Sequence, residues 1–182
     1  MMMTNFKMNI NFSQFENFLG GFKDLRIRSD AFTPFAEDLE SVLSEERLNK
    51  IKTKGDLTNA RLLEGNDNRY TFKRLGLNSL ESDLTNQLGV NCRSSGFYWY
   101  PYGGYCGWHT NNNSEGERIY LVWVQDEGKS FFRYQNPETK EIVTSWDKKG
   151  WQLKRFTISK EKTLWHCVGS KTNRISIGFK VF

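Results

Sequence analysis

Residues 174–181 read RISIGFKV, and their alternation decides the fold. Side chains point to opposite faces of a strand at successive positions, so Arg174, Ser176, Gly178 and Lys180 share one face. Ile175, Ile177, Phe179 and Val181 share the other, which is plainly a core face. In a barrel covered by helices, such an element can pack its apolar side under the helices while its polar side lines the lumen. Working back from it, β-branched and aromatic runs separated by Gly, Asn and Pro predict strands at 96–101, 105–111, 118–125, 130–135, 140–146, 151–158 and 163–168. Asn136-Pro137 and the Asp147–Gly150 stretch mark turns. So many short strands after a helical N-terminal third predict an α+β jelly roll or barrel with helices on one outer face.

The N-terminal third supplies those helices. Thr33 as N-cap and Pro34 at the first helical position open one, with Phe35, Leu39, Val42 and Leu43 at helical spacing. Glu37, Asp38 and Glu40 fill its early turns, where the helix dipole favours acids. SEERLNKIKTKG continues or restarts the helix through Leu48 and Ile51 to Gly55. LEGNDNRYTF reads as a loop leading into a strand. NSLESDLTNQL is a further helix, capped by Asn78 or Ser79 and stopped at Gly89. No linker or repeat divides the chain. The expectation is one domain over 1–182, with 1–90 as mainly helical support and 91–182 as the jelly-roll core.

Composition narrows the class. Aromatic residues make up 15% of the chain, enough large rings to build a core, so global disorder is not expected. No apolar run reaches membrane-spanning length, and MMMTNFKMNINF lacks a continuous apolar signal region. Three cysteines are too few and too odd in number for a secreted disulfide framework, which points to reduced thiols in a cytoplasmic protein. The net charge of +5 is spread through helices and strands without a run. It reads as solvated surface more readily than as a nucleic-acid footprint.

The chemistry gathers at the only two histidines, His109 in WHTNNN and His166 in TLWHCVGSKTNR. His109 and Asn111 share a strand face, with Trp108 and Thr110 on the other. Imidazole suits mid-row divalent metals, and a guanidinium on the lumen face of the last strand suits a carboxylate. A zinc cage from Cys106, His109, His166 and Cys167 is disfavoured, because in regular strands 106 and 109 face opposite sides, as do 166 and 167. Gly103-Gly104 lacks the helix start and Lys-Ser/Thr of a phosphate loop and reads as a turn.

H-x-N at 109–111, a second His at 166 and R-x-S at 174–176 resemble, in order and spacing, the 2-oxoglutarate/Fe(II)-dependent dioxygenase superfamily. YPYGGYCGWH before the motif is similar to its prolyl-hydroxylase-like branch, and the chain also resembles short oxygenase-like proteins of large phages. The resemblance covers roughly 96–181 and implies a double-stranded β-helix (jelly roll, cupin-like). It implies that His109, Asn111 and His166 ligate Fe(II). Arg174 and Ser176, with a phenol from Tyr98 or Tyr100, would hold the 2-oxoglutarate carboxylate. The family has Asp or Glu where this chain has Asn111, so the metal would lack a negative ligand; Asn112, Asn113 and Glu115 lie close by in sequence. The substrate class stays open among a protein side chain, a nucleobase and a small molecule, in the cytoplasm (the host's, if the chain is viral). A non-catalytic binding module or a structural jelly roll is the alternative on the same scaffold.

Overall fold

The computed structural model describes residues 10–13, 15, 16, 26–28, 38–53, 67–72, 77–111 and 114–182. The helical start at Thr33-Pro34, and Asn112 and Asn113, lie outside the described residues. All eight strands expected after Gly89 are present. They are β4 (Cys92–Tyr100), β5 (Tyr105–His109), β6 (Gly116–Val124), β7 (Ser130–Gln135), β8 (Ile142–Trp146), β9 (Gly150–Ile158), β10 (His166–Ser170) and β11 (Arg174–Val181). Three short strands precede them: β1 (Arg26–Arg28), β2 (Asp67–Asn68) and β3 (Tyr70–Phe72).

Two antiparallel sheets form, with orders β1-β3-β4-β11-β6-β9 and β2-β5-β10-β7-β8. From β4 onward the chain passes between the sheets at nearly every connection; only β7 and β8 are joined within one sheet. That winding is a double-stranded β-helix, a jelly roll. β1 and β3 extend one sheet and β2 the other. The described part of the N-terminal third therefore contributes three short strands as well as helices, β3 among them being the strand expected after the LEGND loop.

β11 is held on both sides, by β4 and by β6. Its Ile175, Ile177 and Phe179 are fully buried in a cluster with Leu80, Leu84, Phe97, Ile119 and Leu121. Each such side chain contributes roughly 1.5–3 kcal/mol by leaving water. Leu80 and Leu84 come from α3 (Leu77–Leu88), where they lie one turn apart on one helix face. α3 is described from Leu77, which places Asn78 and Ser79 within its first turn. It ends as expected: Gly89 takes φ 64° and its N–H donates to the Thr85 carbonyl at 2.9 Å.

The other outer face is covered by α1 (Leu39–Val42) and α2 (Glu45–Thr53). Asp38 caps α1, its Oδ1 accepting from Glu40 and Ser41 N–H. The helix restarts at Ser44, whose Oγ accepts from Arg47 N–H at 3.1 Å. Leu39, Leu43, Leu48 and Ile51 then pack on Trp108, Phe131, Trp165 and Cys167. The helices thus divide between the two outer faces instead of sharing one, because each sheet has its own apolar exterior. Among the described residues no helix is long and apolar enough to cross a membrane.

Candidate functional site: a histidine pair in the barrel lumen

β5 and β10 are neighbours, and their register sets His109 opposite His166. Both are buried, with ring centroids 4.2 Å apart. His109 Nδ1 lies 2.8 Å from the Gly107 carbonyl, and His166 Nδ1 lies 3.0 Å from the Leu164 carbonyl. A carbonyl accepts only, so each Nδ1 carries the proton and each lone pair is on Nε2. Such backbone anchoring fixes the tautomer and ring orientation that a metal-binding imidazole needs. Phe132 stacks on His166 at 5.3 Å, so the ring is held across its face as well.

A bulge governs the rest of β5. His166 pairs with His109 but Val168 pairs with Cys106, so Gly107 and Trp108 together face Cys167. Trp108 turns outward, its Nε1–H donating to the Ser44 carbonyl at 2.9 Å. Cys106 returns to the lumen beside His109, with Sγ 3.5 Å from Nδ1. Strict alternation therefore fails for 106 and 109, which share a face. The zinc cage fails for a different reason: Cys167 lies in the outer cluster under α1 and α2, where burial pushes its thiol pKa well up. Among the described residues no group of three or more His, Cys, Asp or Glu is placed to hold a metal.

Asn111 meets the pair. Its Nδ2–H donates to His166 Nε2 at 3.2 Å. Asn111, both histidines, Cys106, Ser176, Tyr98 and Tyr100 line one cavity of about 240 Å³. Both tyrosines face it, as positions two apart on β4 must. Burial pushes the Tyr100 phenol pKa upward, so it stays protonated and able to donate. Glu115 does not line the cavity; it accepts from Lys160 N–H at 2.8 Å on the surface.

Arg174 is placed differently from its neighbours on β11. It is fully buried and does not line the cavity; its guanidinium carbon lies 5.4 Å from the Tyr100 ring centroid. Its Nε–H donates to Asp147 Oδ2 at 2.9 Å, and Lys154 Nζ lies 2.9 Å from Asp147 Oδ1. Ser130 Oγ also donates to Asp147 Oδ2. Burial pushes the Asp147 carboxyl up, but Arg174 and Lys154 outweigh it and hold the group below its ordinary value. Burial likewise lowers Lys154, against the pull of Asp147. The two Nη atoms of Arg174 have no hydrogen-bond partner among the described residues.

Several lumen residues escaped sequence reasoning. Arg69 lines the cavity, stacking on Tyr98 at 3.8 Å and donating from Nη1 to the Tyr100 hydroxyl at 3.1 Å. Arg118 and Tyr120 line it from β6. The alternation of Arg118 with Ile119 and of Tyr120 with Leu121 was the available signal, blurred because Val122 and Val124 make both faces of that strand apolar further on.

No protein-family model matches the chain, and no curated protein does. Solved structures similar to it include a prolyl-4-hydroxylase from Pseudomonas putida, with 17% identity over 58% of this chain and 57% of that one and a TM-score of 0.38. Another is a Trichoplax adhaerens prolyl hydroxylase in complex with a hypoxia inducible factor oxygen degradation domain peptide, with 19% identity over 58% and 52% of the two chains and a TM-score of 0.36. A Bordetella pertussis cupin domain matches at 23% identity over 47% and 77%, with a TM-score of 0.29. The match spans little more than half the length of the two hydroxylases.

Proposed function

We propose that this chain is an Fe(II)- and 2-oxoglutarate-dependent oxygenase, acting as a hydroxylase. His109, His166 and Asn111 are its metal ligands, and Arg174, Ser176, Tyr98 and Tyr100 its co-substrate contacts. The observation that carries this reading is the in-register histidine pair, with both Nδ1–H groups tied to backbone carbonyls, which puts both lone pairs on the lumen nitrogens Nε2. Two neutral imidazoles and an amide fit a mid-row divalent ion, though without the charge that a carboxylate would bring. An asparagine offers either its oxygen or its nitrogen by rotating its amide, so Asn111 can accept a cation where it now donates to His166. Iron, when bound, would activate dioxygen while 2-oxoglutarate is oxidised to succinate and carbon dioxide, leaving one oxygen atom for a substrate C–H bond. The protonated Tyr100 phenol and the Ser176 hydroxyl offer donors to a carboxylate in the cavity. The Nη pair of Arg174, which has no hydrogen-bond partner among the described residues, would complete a fork once the Tyr100 ring beside it yields.

Anaerobic addition of Fe(II) and then 2-oxoglutarate to chelator-treated protein tests the reading. A visible metal-to-ligand charge-transfer band that needs both ligands is expected, and its absence at saturating concentrations would refute it. One observation favours a second reading, a binding or structural jelly roll with a degenerate metal site. Asn111 and His166 satisfy each other without a metal. A protein of that kind would show metal-independent stabilisation by small anions, or no response at all.

A further inference from the structure

Arg69 and Arg118 line the histidine cavity, and no aspartate or glutamate among the described residues does. Arg118 is buried in β6, and its register partner on β11 is Lys180. Across the other edge of β11, Lys180 pairs with Arg93 of β4. Three cations therefore stand in a row on three adjacent strands. Two of them converge. Arg118 Nη2 and Lys180 Nζ both donate to Ser114 Oγ, at 3.1 and 3.3 Å. A β-carbon placed on Gly116 would lie 3.6 Å from Arg118 Nη1 and 3.7 Å from Lys180 Cε, so both side chains press over that glycine.

Nothing acidic among the described residues answers them. Arg118 otherwise donates to the Glu117 and Ser114 carbonyls. The nearby carboxylates are committed elsewhere, Glu117 to Arg155 at 2.8 Å and Glu115 to Lys160 at 3.5 Å. A buried guanidinium without a counter-ion is costly, and a second cation on the same hydroxyl adds repulsion. Ser114 Oγ spends its acceptor capacity on the two cations, which leaves its own O–H to donate to a third group. An O–H beside two cationic donors is a cradle for an oxyanion. The buried cations at the other end of the strand are unlike these, because Arg174 and Lys154 share Asp147. Lys180 stands six residues from Arg174 along β11, roughly 20 Å, so the two ends are separate positions.

We infer that the substrate taken by this lumen carries an oxyanion, a carboxylate or a phosphate, and that Arg118, Lys180 and the Ser114 hydroxyl bind it. As a statement about a substrate this rests on the oxygenase reading; as an anion site it is measurable without metal or 2-oxoglutarate. Chelator-treated protein is titrated calorimetrically with inorganic phosphate and, separately, with acetate, at an ionic strength fixed by chloride. Saturable binding of at least one is expected, weakened about tenfold or more in Arg118→Gln and in Lys180→Gln, the loss of one charge-assisted contact. Preference for phosphate identifies a phosphate-bearing substrate, and preference for acetate a carboxylate-bearing one. No saturable binding of either probe, or equal binding in parent and both variants, overturns the inference. Should the buried Arg118→Gln fail to fold, the half-buried Lys180→Gln decides alone. Because the titration uses neither metal nor 2-oxoglutarate, failure of the charge-transfer experiment leaves the anion site standing and removes only its reading as a substrate site, while failure of the titration leaves the oxygenase reading untouched.

Discussion

Replacing Asp147 with asparagine probes the most densely charged part of the interior. Asp147, Arg174 and Lys154 have no accessible side-chain surface. One carboxylate there accepts from Ser130 at 2.7 Å and from Arg174 Nε at 2.9 Å, and it faces Lys154 Nζ at 2.9 Å. The amide of Asp147→Asn would keep the shape but leave two buried cations with no anion between them. Removing one partner of a buried ion pair typically costs about 3–5 kcal/mol. In a domain of this length that corresponds to a fall in Tm of roughly 6–20 °C. The same carboxyl gives a pH signature. Its folded pKa is lowered from the ordinary 3.8, so its contribution is fully present above that value and is lost as pH falls through the still lower folded pKa. Urea unfolding of parent and Asp147→Asn at pH 7 and at pH 3 measures both effects. The gap should be wide at pH 7 and should narrow in acid. A loss under about 1 kcal/mol at pH 7, or a gap that does not change with pH, would refute the account of the triad, since exposed pairs are worth no more than that.

Arg174→Lys keeps a charge for Asp147 but not the planar fork. In the proposed enzyme it should weaken 2-oxoglutarate binding about tenfold or more by calorimetry, with a smaller stability loss than Asp147→Asn. His109→Ala and His166→Ala should each lower Mn(II) affinity by at least about tenfold while circular dichroism stays that of the parent; parent-like affinity in both would make the pair a core feature. Asn111→Asp changes almost no volume and adds one negative charge. Metal affinity should rise about tenfold at pH 7, and the gain should fade as the carboxyl protonates near pH 4. No gain, with His109→Ala still abolishing binding, would take Asn111 out of the ligand set.

What was legible in the sequence follows from range. Strand existence is set by local residue type, and the runs after Gly89 carry it, down to the polar and apolar faces of β11. The histidine pair was legible because two histidines leave little choice. The bulge at Gly107–Trp108 was not, because a bulge is defined by the partner strand, here β10, some sixty positions away. Asp147 read as a turn residue for the same reason. Its partners Lys154 and Arg174 are supplied by β9 and β11, and only the closed barrel brings them to one point. Helix placement was half legible. The apolar stripes of α2 and α3 mark packing faces, but nothing local says which sheet each stripe meets.

The lumen holds its charges in an unusual order along the barrel. At one end two cations are compensated by Asp147; in the middle two neutral imidazoles meet an amide; at the other end Arg118 and Lys180 share a hydroxyl and no acid among the described residues. Asn111 is what makes the middle neutral. With a carboxylate there, the cavity would carry one negative charge against Arg69 and Arg118; with asparagine it carries none. A divalent cation entering such a space meets repulsion from both arginines, and an anion meets attraction from the same groups. Each ligand thus relieves the cost of the other, and the coupling is reciprocal by thermodynamic necessity. In the proposed oxygenase, asparagine at position 111 would therefore weaken metal binding by itself and make it depend more on a bound anion. A site built this way favours the cation and its anionic partner together over either one by itself.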